Sequence, residues 1–104
     1  MVIGKFEEIM STCKECEEAC RNCAMACAQM PAMEPCGRLA EICAIACADC
    51  FSSLERGSMN ECKPCLYACV QCREECSKHT HDHCRACADA CERFIEAMAC
   101  VEHY

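Results

Sequence analysis

The sequence lacks most of the features that announce a function. No stretch approaches the roughly 18 consecutive apolar residues of a membrane-spanning helix, and cysteine and alanine inflate its apolar fraction. A net charge of −7 with no cluster of Lys and Arg argues against a nucleic-acid partner. There is no Ser–His–Asp set, phosphate-binding loop or carboxylate pair to suggest catalysis, so a non-enzymatic role is expected. The opening MVIGKFEEIM carries Glu7 and Glu8 where an export signal would need an unbroken apolar run. The expectation is therefore a soluble chain kept in a reducing cytosol, where thiols stay reduced. At 104 residues it is too short for two independent cores, and a single domain over 1–104 is expected.

What the chain has is sulfur. Eighteen residues are cysteine, far above the level that marks a disulfide scaffold or a metal protein. Most lie on a repeat of three and four, the period of one helix face. The first seam runs Val2, Phe6, Ile9, Cys13, Cys16, Cys20, Cys23, Cys27, Met30. The second runs Cys36, Ala40, Cys43, Cys47, Cys50, Leu54, and the third Cys62, Cys65, Cys69, Cys72, Cys76, His79. The fourth runs Cys84, Cys87, Cys91, Phe94, Met98, Val101. Breaks fall at Pro31 and Pro35, at Gly57 and Asn60, and between Thr80 and Asp82. Pro64 sits near the start of the third segment, where proline is tolerated. Short connections between long helices predict an all-α, up-down-up-down antiparallel four-helix bundle with a cysteine-lined core. Each helix would be about 30 Å long at about 20 residues.

A buried thiol can serve as a small apolar filler. Seventeen on four seams exceed that role, because leucine would build a better core. Disulfides within a helix meet a geometric obstacle: neighbours three or four apart have Cβ atoms about 5–6 Å apart, against about 3.8 Å in a disulfide. Such pairs suit a metal held between two sulfurs. Soft thiolates select Cu(I), zinc or iron–sulfur clusters. Cys13, Cys16, Cys20 and Cys23 look like a ferredoxin run, but the spacing is x2, x3, x2, no proline follows, and the intervening residues favour helix. Zinc needs four convergent ligands per ion and would leave two negative charges on each tetrathiolate site in a dry core. Cu(I) accepts two sulfurs, and one Cu⁺ per thiolate leaves the array neutral. That predicts a capacity near one ion per cysteine, about 18 per chain. An iron–sulfur electron-transfer protein and a zinc–thiolate, metallothionein-like protein are the alternatives.

The repeats CKECEEAC, CKPCLYAC and CRACADAC, with CAIACADC in the second segment and a His-rich third connection, resemble the cysteine-rich four-helix-bundle copper storage proteins of bacteria. The likeness is to the cytosolic branch and covers essentially the whole chain. It implies storage and detoxification of many Cu(I) ions by cysteines pointing into the bundle, and a homotetramer. The implied thiolate ligands are Cys13, Cys16, Cys20, Cys23, Cys27, Cys36, Cys43, Cys47, Cys50, Cys62, Cys65, Cys69, Cys72, Cys76, Cys84, Cys87 and Cys91. Cys100 joins the candidates although it stands two residues past Met98, off the seam.

Up-down topology makes the two ends different. Val2, Phe6, Ile9, Leu54, Phe94 and Met98 gather at one as an apolar plug. The other collects Met30, Met33, His79, His81 and His83 beside Cys27, Cys36, Cys76 and Cys84, and is the expected copper entrance. A zinc site of Cys76, His79, His83 and Cys84 is a further alternative there. On the outside, Ile42, Ile45, Tyr67 and Val70 face away from the seams of the second and third helices and suggest a subunit interface.

Overall fold

The computed structural model describes the backbone of residues 2–101 and the side chains of residues 6–99. Four helices follow in order: α1 (Val2–Cys27), α2 (Glu34–Glu55), α3 (Cys62–Cys76) and α4 (Asp82–Val101), with a 3-10 turn at Pro31–Met33. No strand occurs among the described residues. Consecutive helices run antiparallel and α4 closes back on α1, giving the up-down-up-down bundle, a rod of 44 × 21 × 17 Å.

Local chemistry sets the helix ends. Pro35 lies in the first turn of α2, where its missing N–H has no helical partner to lose, and Glu34 beside it favours the positive end of the helix dipole. The break between α1 and α2 is therefore made by Pro31 alone. α2 stops at Gly57, whose φ of 81° is the left-handed conformation that closes a Schellman motif. There Gly57 N–H donates to Leu54 O and Ser58 N–H to Ser53 O, both at 2.9 Å. α3 ends at Cys76: Ser77 Oγ donates to Arg73 O at 2.7 Å, and the chain leaves by tight turns that put His79 N–H on Cys76 O. His79 thus belongs to the connection, one step outside the helix that its seam position suggested.

Inward positions follow the predicted seams. Ile9, Leu54, Phe94 and Met98 are buried at one end, with Phe6 half-buried against them. The side chains of Val2 and Val101 lie outside the described residues. Ala40, Ala44 and Ala90 are also buried, and with cysteine they keep the bundle narrow. Outside, Arg73 pairs with Glu92 at 2.6 Å across α3 and α4, and Arg93 with Glu15 at 3.5 Å across α4 and α1. Exposed pairs of this kind contribute at most about 1 kcal/mol each, so the buried seams carry the fold.

Candidate metal centre

All seventeen cysteines from Cys13 to Cys91 are buried and free of disulfides. Because α1 and α3 run one way and α2 and α4 the other, the seams stack their thiols in layers. Cys50 and Cys62 meet at 3.4 Å nearest the apolar end. Next come Cys13, Cys47 and Cys65, then Cys16, Cys43, Cys69 and Cys91, then Cys20, Cys43, Cys72 and Cys91. Towards the other end lie Cys23, Cys76 and Cys87, and last Cys23, Cys27, Cys36 and Cys84. Within each of these last five groups the sulfurs lie within 4.8 Å of one another. Ala40 holds the α2 place in the layer of Cys23, Cys76 and Cys87, which is why that layer has three thiols.

The layers are joined. Cys43 and Cys91 belong to two groups, as does Cys23. Cys20 and Cys87 at 3.4 Å, Cys36 and Cys76 at 3.5 Å and Cys47 and Cys65 at 3.6 Å link helices, whereas same-helix pairs such as Cys16 and Cys20 stand at 3.8 Å. The shortest approaches therefore run between helices, and sites converge across the tube as well as along one helix. A metal–sulfur bond of about 2.3 Å spans sulfurs about 4.0 Å apart in trigonal and about 4.6 Å apart in linear geometry. Small rotations of these side chains reach both arrangements.

Among the described residues the core contains no compensating cationic side chain. Ser53 is the one polar residue buried as a whole among the described residues, and it is satisfied by Ser58 O at 3.0 Å. A fully ionised array must therefore be neutralised by the metal itself. Before metal binds, the thiols share protons. S–H donation from Cys20 lowers the pKa of Cys16, and the same contact raises that of Cys20. Donation from Cys76 and Cys87 lowers Cys23 to about 2. At the outermost layer burial dominates: it pushes Cys27 up to about 12 and raises Cys36 and Cys84. Cys13 points its proton at Cys47 O, 3.2 Å away.

A family model described as copper storage protein (Csp) matches residues 3–104. The chain belongs to the copper storage protein family. Among solved structures, the Cu(I)-bound copper storage protein BsCsp3 is similar, with a TM-score of 0.85 and 32% identity over 92% of this chain and 96% of that one. The apo form of copper storage protein 3 from Bacillus subtilis has a TM-score of 0.81 and 35% identity, covering 88% and 92% of the two chains. No curated protein matches by sequence.

As a member of that family the chain carries its thiol column between two unlike ends. His79 is half-buried, with Nε2 3.0 Å from Glu75 Oε2. This contact is the main cause that lowers the Glu75 pKa, with Lys78 adding to it. His81 and His83 stack with ring centroids 5.4 Å apart, and His83 Nε2 is buried without a hydrogen-bond partner among the described residues. Met30 is half-buried, while Met33, 5% exposed, packs into the core. Among the described residues, Cys76, His79, His83 and Cys84 form no common cluster: Cys84 joins Cys23, Cys27 and Cys36, and His79 turns to Glu75. The side chain of Cys100 lies outside the described residues. The sequence reading missed Glu75 and Met25. Glu75 was legible as a carboxylate four residues before His79. Met25 lines an open groove of about 540 Å³ with Cys27, Met30, Gly37 and Arg38, a neighbourhood that exists only once α2 packs on α1.

Proposed function

We propose that the chain stores Cu(I) on its column of core thiols, with Cys13, Cys16, Cys20, Cys23, Cys27, Cys36, Cys43, Cys47, Cys50, Cys62, Cys65, Cys69, Cys72, Cys76, Cys84, Cys87 and Cys91 as ligands. One observation carries the reading: neighbouring thiol groups share Cys43, Cys91 and Cys23 or touch through contacts such as Cys20–Cys87, in a core that holds no cationic side chain among the described residues. Shared sulfurs are what bridging thiolates require, and one monovalent ion per thiolate leaves the core neutral. Four thiolates around each divalent ion would strand negative charge in the same dry space. The Cu(I)-bound relative supports the choice of metal.

The end holding His79, His81, His83 and Met30 is the proposed copper entrance, and Met33 supports it from within the core. The unpartnered Nε2 of His83 and the thioether of Met30 are soft or borderline ligands on the way to Cys27, Cys36 and Cys84. Release from such ligands to a thiolate is downhill, so they pass the ion without holding it. The role is storage and detoxification without catalysis, by residues 1–104 acting as one bundle in a reducing cytosol. Exposed Ile42, Ile45 and Tyr67, at 51%, 56% and 68%, support assembly into a homo-oligomer, a tetramer by family likeness.

The test is a Cu(I) titration of reduced protein against a competing chelator, with elemental analysis of the product. Saturation near one ion per core thiol is expected. Saturation near four or five divalent ions, or visible iron–sulfur absorbance, overturns the reading.

A further inference from the structure

Gly37 stands in the first turns of α2, a helix otherwise rich in alanine. Glycine in a helix interior costs about 1 kcal/mol relative to alanine, so its presence asks for a packing reason. The reason is contact with α1: a Cβ built at residue 37 would lie 3.0 Å from Cys27 Cβ and 3.8 Å from Ala24 O. Cys27 Cβ is fixed to the last turn of α1, so it cannot swing away as the tip of a long side chain could. Gly37 follows Cys36 directly, and Cys27 and Cys36 are two of the four thiols in the outermost layer, with Cys23 and Cys84.

We infer that Gly37 is a positioning residue for the outermost copper layer: lacking a side chain, it lets α2 approach α1 closely enough for Cys27 and Cys36 to bind the same ions. The inference rests on the storage reading and adds a determinant of how firmly the mouth holds its metal. A methyl group at 37 pushes the two helix ends apart where the sulfurs must converge. The contact must give by a few tenths of an ångström, enough to loosen a ligand set that has to be held within about 0.5 Å. The deeper layers lie away from this contact and keep their geometry.

The experiment compares the parent, Gly37→Ala, Cys27→Gly and the double variant, each reduced, loaded with Cu(I) and challenged with a graded chelator. Gly37→Ala should lose on the order of one to two ions per chain at a chelator concentration that leaves the parent full, since the outer layer shares its sulfurs. Its remaining ions should resist the chelator as the parent's do. Because Cys27→Gly removes an outer-layer thiolate together with the opposing Cβ, this background is read on apo stability in denaturant: Gly37→Ala should cost stability in the parent and less than about half as much in Cys27→Gly, the mark of coupling through that contact. Equal retention in Gly37→Ala and parent overturns the inference, as does an undiminished stability cost in the Cys27→Gly background. If Gly37→Ala fails to fold, recovery of folding in the double variant supports the contact, and failure of both overturns it. A parent that takes up no Cu(I) instead sinks the storage reading itself.

Discussion

The two ends of the bundle are made by the same four helices and differ in chemistry. At one, Ile9, Leu54, Phe94 and Met98 fill the cross-section with hydrocarbon, and Phe94 stands where the α4 seam would otherwise carry another thiol. At the other, the outermost thiols sit under a rim of imidazoles, a thioether and Glu75. Under the proposed reading, the difference teaches that stability and exchange are kept apart. In the plug the one polar residue buried among the described residues, Ser53, is satisfied by Ser58 O and the rest is apolar, so this end can be optimised for packing. The mouth, as the proposed entrance, needs ligands that exchange, so it cannot.

The largest effect should come from the metal itself. Reduced apo protein is expected to be helical already, because α1 to α4 rest on good helix formers and the plug pins one end. Far-ultraviolet circular dichroism should change little on loading, whereas the melting temperature should rise by at least about 20 °C, since ions that bind only the folded bundle stabilise it at every site. A random-coil apo spectrum would break the comparison at its root, for there would be no ends until copper made them.

Next in size, Phe94→Ala should lower apo stability by about 3–5 kcal/mol in denaturant titration and leave copper capacity unchanged. Replacing His79, His81 and His83 together should lower stability by under about 1 kcal/mol while slowing Cu(I) uptake in stopped-flow absorbance. Equal uptake rates would remove the mouth from the account.

A smaller effect is set by pH. Cys27 is raised from its ordinary 9.0 to about 12, and Cys36 and Cys84 are raised too, each chiefly by burial. Thiols raised in the folded state contribute stability that is complete below 9 and is lost as pH climbs towards 12. Apo protein should therefore soften over that window in thermal melts, and copper-loaded protein, whose ligands carry no protons, should not. Smallest is Glu75→Gln, which frees the His79 ring and should slow loading by at most about tenfold. The carboxylate is held below its ordinary value, so the pairing is complete above the usual carboxylate range and lost on acidification.

Much of this was legible because the signal is periodic. Every seam cysteine with a described side chain is buried, as the three-four spacing requires, and Ala40 is buried where the seam substitutes alanine. Cysteine reads clearly because so few neighbours compete for the same face. The terminations were less legible: Pro35 entered the helix it was expected to precede, and His79, three residues past Cys76 on the seam's count, fell in tight turns and paired with Glu75. Residue spacing alone does not mark where a helix stops. Which thiols meet across the tube was not readable at all, since the pairing of Cys20 with Cys87 or Cys36 with Cys76 depends on the axial offset between helices. The contact of Gly37 with Cys27 and the Arg73 and Arg93 ion pairs depend on that same offset.

A tube sealed by Phe94 at one end has a consequence for time. Under the proposed reading, ions that enter past Cys27 and Cys36 move deeper by passing from sulfur to sulfur, and beyond Cys50 and Cys62 the described residues Ile9, Leu54, Phe94 and Met98 fill the column. The bundle is then a stack in which the last ion to arrive is the first to leave. The copper beside the plug is the oldest in the molecule, and an isotope pulse given late in loading should be the first label to appear in a chelator.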